Sequence, residues 1–156
     1  MNNNDILRQL RYTFNINDTK MMDLFLAGGL EATRAEISDW MKKEEDPEFK
    51  SLVDVNMAAF LNGFIIDKRG KKEGPAPVLE KRLNNNTILR KLKIALNLKD
   101  DDMLAILKLV DFNFSKHELS AFFRNPSQEQ YRLCKDQVLR NFLHGMQLKY
   151  RGKGDK

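Results

Sequence analysis

The chain is written twice, and that constrains its fold more than any single motif. Residues Asn2 to Leu10 (NNNDILRQL) return as Asn84 to Leu92 (NNNTILRKL), and the same offset of 82 carries FLNG at Phe60 onto FLHG at Phe142 and RGK at Arg69 onto RGK at Arg151. An ungapped register across a whole module marks a duplicated folding unit. Each copy has roughly 70 residues, near the lower limit at which a hydrophobic core sustains a domain by itself. The expected architecture is therefore all-α: a tandem duplication of a four-helix unit, the copies packed against each other about a pseudo-two-fold axis. The repeat is also an internal control, because each residue proposed to act can be compared with its twin.

The punctuation of each copy is helical. Ile6, Leu7, Leu10 and Phe14, with twins Ile88, Leu89, Leu92 and Leu96, lie on one face of a first helix that Asn4 is placed to cap. Asp18 and Asp100 stand at the start of a second, with Met22, Leu24 and Phe25 or Leu104, Ile106 and Leu107 inside, and Gly28-Gly29 at its end in the first copy. Thr33-Arg34-Ala35-Glu36 and Ser115-Lys116-His117-Glu118 fit the capping box, in which hydroxyl and carboxylate satisfy each other's backbone amides. Ile37, Trp40 and Met41, or Leu119, Phe122 and Phe123, form that third helix's apolar stripe. The fourth and longest helix is expected to follow Asp46-Pro47, and in the other copy Pro126-Ser127. It would carry Phe49, Leu52, Val53, Met57, Phe60, Leu61 and Phe64, or Tyr131, Cys134, Val138, Leu139, Phe142, Leu143 and Met146, as the central strut. Gly63 and Gly145 interrupt this pattern, which calls for close helix contact there. No alternating run competes as a strand.

KKEGPAPVLEKRL, with Gly74, Pro75 and Pro77, reads as the linker. The domains are then 1–74, a linker at 75–84, and 85–156. Val78, Leu79 and Leu83 imply that the linker runs along the surface of one copy. The overall charge of +5 is divided unevenly: residues 1–74 sum to −2, 75–84 to +1 and 85–156 to +6. With 42% apolar and 31% charged residues the composition is that of a soluble globular protein. The opening MNNNDILRQL lacks the pattern of a signal peptide and no apolar run is long enough to span a bilayer, so a cytoplasmic location without membrane contact is expected.

NNNDILRQLRY, FLNG, KRGK ahead of a proline linker, NNNTILRKL and RNFLHG together make the chain similar to the YehS-like family, over nearly its whole length. That family is bacterial, small, duplicated and of unassigned function. The resemblance implies an all-helical cytosolic protein and supplies no catalytic residue.

The residues themselves argue against an enzyme. The lone Cys134 and both histidines have non-equivalent twins (Leu52, Ala35 and Asn62), and there is no phosphate loop or metal-ligand spacing. Neither a cofactor nor a metal is expected. Asp100-Asp101-Asp102 reads as a negatively charged helix start, and the Asn triplets as caps. A binding protein is expected instead. One reading is nucleic acid or another acidic partner, met through Lys68, Arg69, Lys71, Lys72, Lys81, Arg82, Arg90, Lys91, Lys93, Lys149, Arg151 and Lys153, and above all through the basic second half. The bland counterpart is that these cations complement helix C-termini and keep the surface soluble. A helix-turn-helix reading of the third helix, with Arg34, Ser38 and Lys42 as contacts, is weakened by Glu36 and Asp39 on the same helix. The alternative is a protein-protein adaptor that uses the cleft between the repeats. In it the methionines Met21, Met22, Met41 and Met57 or the aromatics Tyr12 and Trp40 would mark the interface.

Overall fold

A computed structural model describes residues 1–152, and among these every regular element is helical. The chain divides into two compact units, Met1–Leu83 and Asn84–Lys156. The first holds α1 (Asn3–Thr13), α2 (Asp18–Ala27), α3 (Arg34–Met41) and α4 (Asp54–Arg69). The second holds α5 (Asn85–Ala95), α6 (Asp100–Lys108), α7 (Lys116–Ala121) and α8 (Asp136–Met146), followed by a π-helical turn over Gln147–Arg151.

Helix starts obey the repeat. Asn2 rather than Asn4 caps α1, accepting from the Asp5 amide at 2.8 Å while the Asp5 carboxylate takes the Asn2 amide. Asn84 caps α5 in the same way through the Thr87 amide at 2.9 Å. The capping boxes of α3 and α7 form as the sequence predicts, with Glu36 N to Thr33 Oγ1 at 3.1 Å and Glu118 N to Ser115 Oγ at 3.0 Å. The Ser115 amide, donating to the Glu118 carboxylate at 3.0 Å, and after it the Ser115 side chain hold that carboxyl below its usual range. Asn15 and Asn97 reverse the chain after α1 and α5 in the left-handed region, at φ of 51° and 53°.

The fourth helix differs from expectation in both copies. It does not begin at Asp46-Pro47 or Pro126-Ser127 but at Asp54 and Asp136. Residues 49–53 and 131–135 form an extended strap, so Phe49, Leu52, Val53, Tyr131 and Cys134 reach the structure from non-helical backbone. The reason lies in the Asn triplets. Asn4 is buried, donates from Nδ2 to the carbonyls of Trp40 and Lys50 at 2.8 Å each, and accepts the Leu52 amide at 3.0 Å. Asn86 repeats the clasp on Phe122 O (3.1 Å), Arg132 O (2.8 Å) and the Cys134 amide (2.8 Å). Asn3 donates to Leu52 O and to the Asp54 carboxylate, and Asn85 to Cys134 O and the Asp136 carboxylate. One side chain with two donor sites and an acceptor thus satisfies backbone groups that would otherwise pair within a helix. The strap is apolar at helical spacing because Leu52 and Cys134 are buried, not because it is helical.

α4 is the strut of its unit, buried continuously from Met57 to Phe64. Phe60 packs its ring 5.3 Å from Phe25 and 6.2 Å from Phe64, and Phe25 meets Trp40 at 5.3 Å. α2 lies so close to α4 that a Cβ on Gly63 would fall 1.7 Å from Leu24 O, and one on Gly28 1.7 Å from Ala59 O. On α8 a Cβ at Gly145 would fall 2.3 Å from Ile106 O. The interrupting glycines therefore let backbones meet. Leu24 and Phe25, and Ile106 and Leu107, are buried as expected, but the first buried residue of α2 and α6 is Met21 or Met103, one position before the predicted Met22 and Leu104. The linker lies on the first unit: Asn62 donates to Val78 O at 3.3 Å, Leu79 comes within 3.9 Å of where a Gly29 Cβ would stand, and the Leu83 amide binds Asp54 at 2.9 Å.

Candidate nucleic-acid interface

Within the first unit the basic residues singled out from the sequence do not gather into one patch. Lys68, Arg69, Lys71 and Lys72 cluster at the end of α4, whereas Lys81 and Arg82 adjoin Leu83, tied to Asp54 at the helix's start. Sixteen helical residues separate these groups, about 24 Å. Lys68 is further engaged, its ammonium lying 5.4 Å from the Phe14 ring centroid and 5.6 Å from that of Phe64. In the second unit Arg90 is exposed on α5, but Lys91 is buried, which withdraws it from any phosphate-contact surface. Lys93 pairs with Asp100 at 2.7 Å and covers the Phe123 ring at 4.4 Å. Its twin Arg11 makes the same bridge to Asp18 at 2.6 Å, so Lys93 belongs to the scaffold. Lys149 and Arg151 occupy the π-helical turn, and Lys153 lies outside the described residues.

Other candidates settle similarly. Arg34 pairs with Asp18 at 3.1 Å and Lys42 with Asp39 at 3.1 Å, so α3 offers a groove no uncommitted cation. Trp40, Met21 and Met57 are core. Tyr12 is 46% exposed, and its twin Ile94 is 44% exposed, so both copies present an apolar side chain at this place. Cys134 is buried, and loss of hydration pushes its thiol up to about 12. Among the described residues no group of His, Cys, Asp and Glu could hold a metal ion, and no helix is long and apolar enough to cross a membrane. A hollow of about 250 Å³ opens between the ends of α1 and α4 and the start of α2, floored by Phe14, Leu24 and Phe64. Its rim cations are already compensated, Lys20 by Asp67 at 2.5 Å and Lys68 by the two rings.

The units differ in the pairing of cations at equivalent positions. In the first, Arg8, Arg11, Lys20, Arg34 and Lys42 each face a carboxylate. The Asp39 and Asp67 carboxylates hold the Lys42 and Lys20 ammonium groups above their usual pKa. In the second, Arg90 and Arg124 have no hydrogen-bond or ion-pair partner among the described residues. Sequence reading missed Arg124 because it stands alone between Phe123 and Asn125, outside any basic run. Comparing the partners of each cation across the repeat, rather than the cations alone, would have found it.

The fold and this surface define a class: a duplicated, all-helical protein whose copies differ in charge, −2 over residues 1–74 and +6 over residues 85–156. The chain belongs to the family described as protein of unknown function (DUF1456), whose model matches it twice, over residues 3–70 and 85–152. The uncharacterized protein YehS of Escherichia coli (strain K12) is 44% identical over 147 residues, covering 94% of each chain. No solved structure matches.

Proposed function

We propose that this is a cytoplasmic, non-enzymatic nucleic-acid-binding protein whose second unit makes the phosphate contacts. The observation that carries this reading is that the two units share one fold and its ion-paired helix junctions, yet residues 85–156 sum to +6 and residues 1–74 to −2. A scaffold requirement would act on both copies alike. Excess cation confined to one copy is what a partner of repeating negative charge selects, because each neutralised phosphate releases a condensed counterion. The test is fluorescence anisotropy of the full chain with mixed-sequence DNA and RNA across a salt series. Affinity is expected to fall steeply and linearly on logarithmic axes. Absence of binding at low salt removes the proposal.

A second reading, a protein-protein adaptor, draws on the exposed apolar pair Tyr12 and Ile94, kept at one position in both copies. It predicts a partner whose binding is insensitive to salt and lost on Tyr12→Ser with Ile94→Ser.

A further inference from the structure

The repeat locates the binding point more sharply than net charge does. In the first unit, the N-terminal half of α1 and the chain leaving α3 share a face knitted by acids. Arg8 donates to Lys42 O at 2.9 Å and pairs with Asp5. Lys42 reaches Ser38 Oγ at 3.3 Å, Asp39 at 3.1 Å and Glu48 at 3.9 Å. Asn2 donates to Glu44 at 2.7 Å. The twins of the four acids are Thr87, Ala121, Gln130 and Pro126, in that order, and the exposed Glu45 and Asp46 become Ser127 and Gln128. The cations survive: Arg8 as Arg90, Lys42 as Arg124, Lys50 as Arg132. The second copy thus has the same three positive charges and lacks every carboxylate that neutralises two of them in the first. The loop gained a single acid, Glu129, at the position of Pro47.

The backbone segments that carry these arginines are tied together. Asn86 pins both Phe122 O and Arg132 O, at 3.1 and 2.8 Å. Arg124 lies two residues beyond Phe122, and Arg90 lies one turn along α5 from Asn86, a rise of about 6 Å on the same helix face. Arg132 is steadied by donating Nη1 to the carbonyls of Glu129 and Tyr131, at 2.8 and 2.9 Å. Arg124 is half-buried, and its Nε is shut off from solvent without a hydrogen-bond partner. A buried donor left unmade costs about 1–3 kcal/mol.

We infer that Arg90 and Arg124, flanked by Arg132, form a binding site for a phosphate group on the second unit. The planar fork of a guanidinium group matches the oxygens of a phosphate in bidentate fashion, and Arg90 and Arg124 supply two such groups. Resting on the nucleic-acid reading, the site takes a backbone phosphate of a single strand or duplex.

The experiment is an NMR titration of the full-length protein that follows the arginine Nε–H signals, first with inorganic pyrophosphate and then with a short single-stranded RNA. Anisotropy binding is measured in parallel on variants. Arg124 and Arg90 signals are expected to shift with both ligands. R90A/R124A is expected to lose about tenfold or more in RNA affinity and about 0.7 in the salt slope, the value for one phosphate of a single strand. T87D/Q130E, which restores two of the first unit's acids at surface positions and keeps every arginine, is expected to lose binding similarly. Lys43→Ala is expected to bind as the parent does. RNA binding that is undiminished in R90A/R124A, with unmoved arginine signals, overturns the site and leaves the nucleic-acid reading to other cations. Signals that answer pyrophosphate while no nucleic acid binds support the phosphate site and overturn the nucleic-acid reading. No response to either ligand overturns both. A polyglutamate peptide that moves the arginine signals while pyrophosphate does not overturns the assignment to phosphate.

Discussion

Replacing Asn4 with alanine should undo the strap that precedes α4, and the size of the effect follows from its bonds. The Asn4 side chain is 1% exposed and makes three hydrogen bonds to backbone, two from Nδ2 at 2.8 Å and one to Oδ1 at 3.0 Å. Alanine leaves the carbonyls of Trp40 and Lys50 and the amide of Leu52 facing a methyl group. At a net contribution of about 1 kcal/mol per bond the loss is about 3 kcal/mol, and more where water fails to reach the vacated groups. For a unit of this size that lowers Tm by about 12–24 °C. Asn86→Ala should cost a similar amount, since its bonds are 3.1, 2.8 and 2.8 Å long. Asn4→Asp keeps the acceptor but turns an oxygen toward two carbonyl oxygens, so it should be no milder than alanine near neutral pH. Urea unfolding measures the total. Amide hydrogen exchange at Leu52 and Cys134 reads the two clasps separately, which matters because a two-unit chain can unfold in stages. An Asn4→Ala protein within about 0.5 kcal/mol of the parent, its Leu52 amide still protected, would show that burial of Leu52 holds the strap and that the asparagine is incidental.

Gly63→Ala should cost about 3 kcal/mol or more, because its Cβ would stand 1.7 Å from Leu24 O and α2 must move away; a Tm near the parent's would refute this contact. Native Cys134 should react with a disulfide reagent only at the rate of local opening, and fast stoichiometric labelling at neutral pH would contradict its burial. With the folded thiol pushed up to about 12, against about 8.5 in the unfolded chain, stability should be intact below that lower value. As pH rises through the interval it should fall by about 1.4 kcal/mol per unit, and Cys134→Ala should flatten that slope in pH-dependent urea melts. Lys93→Met should lower stability by about 1 kcal/mol or less and leave nucleic-acid affinity unchanged; a loss of affinity would return Lys93 to the contact surface.

Much of the fold was legible because it depends on local chemistry. The capping boxes at Thr33 and Ser115 involve neighbours three residues apart, and Gly63 and Gly145 stand out against an apolar stripe whichever helix they approach. The start of the fourth helix was not legible. Residues 49–53 have helical spacing of apolar side chains, and only a side chain about 46 residues away, Asn4, makes their extended form the better one. The candidate surface failed for a related reason. A run of lysines and arginines states charge, but whether a cation is spent on a carboxylate, an aromatic ring or burial is decided by partners distant in the chain. Lys68, Lys93 and Lys91 are spent in those ways, and Arg124 is not.

By itself, then, the sequence determined a duplicated all-helical chain, its helix starts to within two residues except the fourth, its close-packing glycines and the unequal charge of its copies. Each of these is set by residues within a turn or two, or by comparing one copy with the other. Only the tertiary structure decided that the asparagine triplets clasp a strap and which cations remain uncommitted. Those outcomes turn on hydrogen bonds and ion pairs between residues tens of positions apart, whose geometry exists only once the helices have packed.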